Sequence, residues 1–274
     1  SREGIGLTGK HMDQYDKLLH NSNGVILLCG PTGSGKSTTM YTMITELNRE
    51  EVNLVTLEDP IEYDMPGVNQ VQINEKVGMT FANGLRAILR QDPDIIAVGE
   101  IRDSETAQIA MRAAITGHLV LSTIHTNSSI ETINRLIDIG VEPYIINSAV
   151  KGIISQRLVR KLCPICKKAY EPGDEELETL KINKENAPAK MFYKPVGCPE
   201  CMHTGYKGRT AVFEILMLNA EIKTKLRDNA PDSEIRQAIA DSGFEPMLVN
   251  CRRLVEEGIT TVSEAARLLS TTDE

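Results

Sequence analysis

A chain of 274 residues can hold one large domain, or one domain with small appendages. Its 41% hydrophobic and 25% charged residues are ordinary for a soluble globular protein, and no apolar run approaches the roughly 20 residues of a membrane-crossing helix. A net charge of −8, no Trp and only four Phe argue against a nucleic-acid binder, which needs basic faces and stacking aromatics.

In chain order, Thr8 is placed to cap a helix whose Met12, Tyr15, Leu18 and Leu19 share one face, stopping near Asn21-Ser22-Asn23-Gly24. Val25-Ile26-Leu27-Leu28-Cys29 is apolar, short and partly β-branched, as a buried strand is. It enters Gly30-Pro31-Thr32-Gly33-Ser34-Gly35-Lys36-Ser37, which fits the G-x-x-x-x-G-K-[ST] phosphate loop. Thr38 to Asn48 follows as a helix with Met40, Met43, Ile44 and Leu47 on one side. Val52 to Leu57 is the next strand and ends in Glu58-Asp59-Pro60-Ile61-Glu62; Thr80 caps a helix that must stop before Pro93. Ile95-Ile96-Ala97-Val98 is a strand delivering Gly99 and Glu100, and Asp103 or Ser104 opens a helix closed by Gly117. Leu119 to Ile124 delivers His125, and Ser128 with Glu131 predicts a capping box for a helix closed by Gly140.

Strands alternating with helices predict a parallel α/β sheet, in which ligands sit at the carboxyl ends of strands. Beyond residue 160 the composition changes. Cys163-Pro-Ile-Cys166 and Cys198-Pro-Glu-Cys201 bracket a polar insert, Thr210 to Ile215 returns as a strand, and the tail is helical, with Thr261 and Glu264 as a last capping box. The expected organisation is an α/β core with the phosphate-loop motif over residues 1–160, a four-cysteine module over 161–208, and a strand with helices over 209–274.

A strand, a glycine-rich bend and a helix let backbone N–H groups converge on one anion, with the helix N-terminus adding positive potential. Gly30 to Thr38 therefore predict a nucleoside triphosphate site, with Lys36 on the β- and γ-phosphates and the Ser37 hydroxyl on Mg²⁺. Glu100 is the natural second-strand acid. Gly99 stands where an Asp is common, so the stretch from Glu58 to Glu62 is a candidate replacement, the alternative being a solvated turn. His125 ends a strand that could lie between those of the phosphate loop and Glu100, although a lone His is often structural. The four cysteines, with 31 residues between the pairs, fit a closed tetrahedral zinc site, against free thiols as the alternative. Cys29 and Cys251 read as buried packing residues.

These motifs, with Asp94-Ile-Ile-Ala-Val-Gly-Glu100-Ile-Arg-Asp103, Thr116-Gly-His118, Thr123-Ile-His125-Thr and Gln156-Arg157-Leu158-Val159-Arg160, resemble the secretion ATPases of type II secretion and type IV pilus assembly. The cysteines are similar to those of the assembly branch. The resemblance covers about residues 5 to 270. It implies a RecA-like fold, ATP and Mg²⁺ held by Lys36 and Ser37, and Glu100 ordering the metal's water. It also implies Glu62 polarising the attacking water with Glu58 and Asp59 in support, and His118 and His125 near the nucleotide. It further implies a homo-hexamer on the cytoplasmic face of the inner membrane, peripheral to it, driving a platform protein and needing no nucleic acid. A RecA-like DNA translocase or helicase is the alternative, and a nucleotide switch without turnover a third reading. A first residue Ser1, not Met, predicts a piece of a longer protein, lacking upstream arginines that complete the site. Alone it is expected to be monomeric or weakly associated and slow. Arg102, Arg135, Arg157 and Arg160 are internal candidates for a transition-state arginine, or ordinary surface arginines.

Overall fold

Short apolar runs form the central strands, and those at Gly24–Cys29, Ile95–Val98 and Leu119–Ile124 are each followed by a helix. The structure is a computed structural model and describes residues 1–183 and 191–271. In chain order, α1 (Gly9–Leu19), β1 (Gly24–Cys29), α2 (Lys36–Leu47), β2 (Leu54–Glu58), β3 (Asn69–Gln72), α3 (Phe81–Ile88) and β4 (Ile95–Val98) come first. Then follow α4 (Ser104–Ile115), β5 (Leu119–Ile124), α5 (Ser129–Asp138), α6 (Pro143–Ala149) and the long β6 (Val150–Leu162). The remainder is β7 (Lys168–Tyr170), α7 (Asp174–Thr179), β8 (Phe192–Lys194), β9 (Tyr206–Met217), α8 (Ala220–Arg227), α9 (Asp232–Asp241), α10 (Met247–Glu256) and α11 (Val262–Leu269).

A seven-stranded sheet runs β3-β2-β4-β5-β1-β6-β9, and β1 is parallel to both its neighbours, as is β4 to its own. Every residue of β1, β2, β4 and β5 is buried, which is why these strands read as continuous apolar runs instead of alternating. The chain groups into two compact units: Ser1–Gln156 with Ile215–Phe244, and Arg157–Glu214 with Glu245–Glu274. The first unit's core brings Leu27, Leu57, Val98 and Val120 from the sheet against Leu85, Ala110, Met111 and Ile146 from helices. Each buried Leu, Ile, Val or Met there contributes about 1.5–3 kcal/mol. The second unit gathers Val159, Leu177, Leu180, Phe192, Val212, Leu254, Val255 and Leu268.

Most helix starts follow their sequence signals. Thr80, Asp103, Ser128 and Thr261 each accept the backbone N–H three residues on. Thr8 precedes α1 in extended backbone without a side-chain capping bond. The two expected capping boxes close on other partners. Glu131 takes the Asn127 N–H at 2.6 Å, and Glu264 turns to the Arg160 guanidinium and N–H at 2.8–3.1 Å. The sequence reading has no element between Gly140 and Cys163, yet α6 and a 13-residue strand lie there. Ser155, Gln156 and Arg157 are buried polar residues that interrupt the apolar pattern of β6. In the polar insert, β7 and β8 pair antiparallel around α7, and residues 184–190 lie outside the described part.

Candidate functional site

The bend after β1 is set by Gly30. Its φ of +147° is unfavourable for any side chain, and a Cβ there would meet the Gln156 carbonyl oxygen at 2.5 Å and the Ser34 Oγ at 2.6 Å. Ser34 is buried, and the Gln156 side chain donates to its carbonyl at 2.7 Å, clamping the loop from β6. Pro31, Thr32 and Gly33 form an exposed rim. Gly35 begins α2 without a side-chain cap, so the first-turn N–H groups of exposed Ser37 and Thr38 have no intrahelical acceptor. That suits an anion. Lys36 folds back, its Nζ donating to the Gly30 and Pro31 carbonyls at 2.7 and 3.0 Å. A phosphate oxygen is a stronger acceptor for an ammonium than either carbonyl, so this lysine is placed to exchange one set for the other. A Gly30→Ala chain is expected to lose ATP affinity by about ten-fold or more, since backbone strain of this kind costs of order 1–3 kcal/mol before the clash is counted. Titration with a fluorescent nucleotide checks it, and unchanged affinity would show that the bend tolerates a side chain.

The strand order places β5 between β4 and β1, so Lys36, His125 and Glu100 leave three adjacent parallel strands at the same edge. Glu100 is largely enclosed, accepts a hydrogen bond from Arg102, and lies 3.2 Å from His125 Nε2. Burial pushes its carboxyl upward, but the Arg102 hydrogen bond and charge, with His125, outweigh that and leave it below the ordinary range. Glu100 is therefore ionised near neutral pH. The strand ends are locked together by Thr123 Oγ1 donating to the Gly99 carbonyl at 2.7 Å and the Ile101 N–H to that of Thr123 at 2.9 Å. A Cβ on Gly99 would stand 3.0 Å from the Leu57 carbonyl oxygen and 3.4 Å from Phe81, so packing leaves little room for the Asp common there.

The acidic stretch divides. Glu58 is buried, and its carboxylate accepts from Tyr41, from Thr56 at 2.6 Å and from Gln70 at 2.9 Å. It is not part of a solvated turn. Asp59 and Glu62 are exposed, with Asp59 3.9 Å from Arg102. Among the described residues the Glu62 carboxylate makes no hydrogen bond or ion pair, which leaves it available to a water. His118 is not brought to this edge. It precedes β5 at the other end of the strand, its Nδ1 2.8 Å from the Ala113 carbonyl oxygen, to which only a protonated nitrogen can donate. Of the arginines, Arg102 sits at the site, Arg135 is exposed on α5, Arg157 is buried, and Arg160 is held by Glu264 and stacked 4.0 Å above Tyr206.

The second unit holds the cysteines. Sγ distances are 3.8 Å for Cys163–Cys198, 3.8 Å for Cys166–Cys201 and 3.7 Å for Cys198–Cys201, and all four lie within 4.8 Å of one another. A tetrahedron with zinc–sulfur bonds of about 2.3 Å has edges of about 3.8 Å. The donor set fits. N–H groups of Gly197, Cys198 and Gly205 point at the Cys166 and Cys201 sulfurs at 3.2–3.3 Å, as anionic thiolates need. Four sulfurs leave no open position for chemistry. Cys29 and Cys251 are fully buried apart from this cluster, and burial pushes the Cys251 thiol up to about 12, as expected of packing residues.

A family model described as "Type II/IV secretion system protein" matches residues 1–267. The chain is 45% identical over 271 residues to "Type II secretion system ATPase E" of Vibrio cholerae, covering 96% of this chain and 52% of that protein. To "Type II secretion system protein E" of Dickeya dadantii it is 44% identical over 266 residues, covering 97% and 52%. It thus spans about half the length of these relatives. Among solved structures, the pilus retraction motor PilT with bound ADP superposes with a TM-score of 0.73 at 33% identity, over 97% of this chain and 66% of that one. The ATPase DotB of Legionella pneumophila gives 0.70 at 23% identity over 98% and 64%, which speaks for the fold. The expected RecA-like α/β class agrees with these structures and with the parallel sheet.

Proposed function

The chain belongs to the type II/IV secretion system protein family, and from that premise we propose that it is an ATP-hydrolysing motor domain for type II secretion or type IV pilus assembly. The carrying observation is the convergence of Lys36, His125 and Glu100 at one sheet edge, beside the exposed Glu62. Gly30 to Thr38 bind the triphosphate through backbone N–H groups, with Lys36 neutralising its terminal oxygens. Ser37 and the ionised Glu100 are suited to hold Mg²⁺ and its water, the former directly. Mg²⁺ supplies charge neutralisation at the phosphates. Asp59 adds negative charge nearby, and Glu62 takes the proton of the attacking water. ADP in the PilT structure supports a nucleotide here.

In the same reading residues 1–160 do the motor work, Cys163, Cys166, Cys198 and Cys201 hold a structural Zn²⁺ in 161–208, and 209–274 is appended to them. The complete protein works as a homo-hexamer at the cytoplasmic face of the inner membrane, pushing on a platform protein. Among the described residues no helix is long and apolar enough to cross a membrane. The comparisons favour this over a DNA motor, and the −8 charge agrees. Phosphate release from MgATP is the test. Steady release is expected, insensitive to DNA and abolished by Lys36→Ala through lost binding. Stimulation by DNA would favour a translocase, and binding without release a switch.

A further inference from the structure

Glu62 is the exposed base of the proposed reaction, and its loop is held to the rest of the site mainly through main-chain bonds. The Ile61 N–H reaches the Gln72 side chain at 3.3 Å, the Met65 N–H reaches Gln70 at 2.7 Å, and the Glu62 N–H reaches the Tyr41 hydroxyl at 3.2 Å. The first two come from the edge strand β3. The third comes from α2, the helix that leaves the phosphate loop, five residues after Lys36.

Tyr41 is suited to more than packing. Its ring is buried and stacks on Tyr63, centroids 4.2 Å apart and planes 28° from parallel, so the residue next to Glu62 is gripped as well. Its hydroxyl donates to Glu58 Oε2, while Thr56 and Gln70 fill Glu58 Oε1. A carboxylate can only accept, so the phenol hydrogen is committed to Glu58 and its lone pairs are turned toward the Glu62 N–H. Burial, then the hydrogen bond to Glu58, pushes the phenol up to about 12, so the hydrogen stays in place at any working pH.

We propose that Tyr41 is a positioning residue for hydrolysis. Its hydroxyl, aimed by Glu58, ties the phosphate-binding helix to the loop that carries Glu62, so that phosphate site and general base are set from one helix. This rests on the reading of Glu62 as the base. It also gives buried Glu58 a role that touches neither nucleotide nor metal.

Tyr41→Phe removes one oxygen and keeps the stacked ring. It is expected to lower kcat about ten-fold or more, because small misplacements of a reacting group are costly, while KM and affinity for a non-hydrolysable ATP analogue stay within about two-fold. Glu58→Gln, which frees the phenol hydrogen, gives the same split to a smaller degree. In a Glu62→Gln background Tyr41→Phe costs nothing further, since both act through one group. Loss of analogue binding alongside kcat, or additive losses in the double variant, would mark a merely structural tyrosine and overturn the proposal. So would wild-type kcat in Tyr41→Phe, whatever Glu58→Gln does. A Glu62→Gln chain at wild-type rate sinks the assignment of the base; a slow Glu62→Gln beside a normal Tyr41→Phe sinks only the tie.

Discussion

A Glu62→Gln chain is expected to bind ATP with near wild-type affinity and to hydrolyse it about 10²-fold or more slowly, the usual range for losing a general base. The amide keeps the size of the side chain and its backbone tether to Tyr41, and removes only the ability to take a proton. Binding is expected to survive because the groups proposed to meet the phosphates lie elsewhere, on the glycine loop and the first turn of α2. Glu100→Gln is expected to differ in kind. Its carboxylate already engages Arg102 and His125, so neutralising it loosens both and would weaken the proposed hold on Mg²⁺. Its defect should therefore be partly relieved by raising Mg²⁺, whereas that of Glu62→Gln should not. Single-turnover rates at several Mg²⁺ concentrations separate the two. Normal hydrolysis by Glu62→Gln with a dead Glu100→Gln, unrelieved by metal, would transfer the base to Glu100.

What the sequence makes legible here is set by what is local. Val25 to Cys29 and Leu119 to Ile124 announce buried strands because both faces of the sheet are covered, and the eight-residue motif after the first marks where phosphate is expected. The place of His125 between Lys36 and Glu100 follows once the strand order is known. His118 shows the limit of adjacency. It is only seven positions from His125, but an intervening extended strand separates them by roughly 20 Å. Tyr41 and Gln156 are illegible in the sequence for another reason. Tyr41 falls in the stripe of Met40, Met43 and Ile44 that reads as core, and the partners of its hydroxyl lie 17 and 21 residues on. Gln156 reaches back 122 residues to clamp the phosphate loop, a distance over which no periodic pattern speaks. In the sequence Glu58 looks like the other acids of its stretch, and its burial sets it apart.

Removal of zinc is expected to be the largest single loss to the second unit. The turns that carry the cysteines have little apolar core of their own: Ile165 inside the first pair and Met202 after the second are 66% and 83% exposed. Four thiolates within 4.8 Å would repel one another without a cation between them. A zinc ion held there would supply much of the free energy that closes these turns; structural zinc in small finger peptides contributes an apparent 10–16 kcal/mol, about the scale to compare. Elemental analysis should find one zinc per chain. Cys201→Ser should be more damaging than Cys166→Ser, because Cys201 is buried and two N–H groups point at its sulfur, whereas Cys166 is half-buried and receives one. A chelator strong enough to strip the ion should lower the melting temperature and raise amide exchange over residues 161–183 and 191–208. Nucleotide affinity at Lys36 should stay near its original value, since no cysteine ligand belongs to the unit that holds the phosphate loop. Protein purified without chelator and found to contain no zinc, or a Cys201→Ser chain that melts like the parent, would leave the cysteines as free thiols packed by chance.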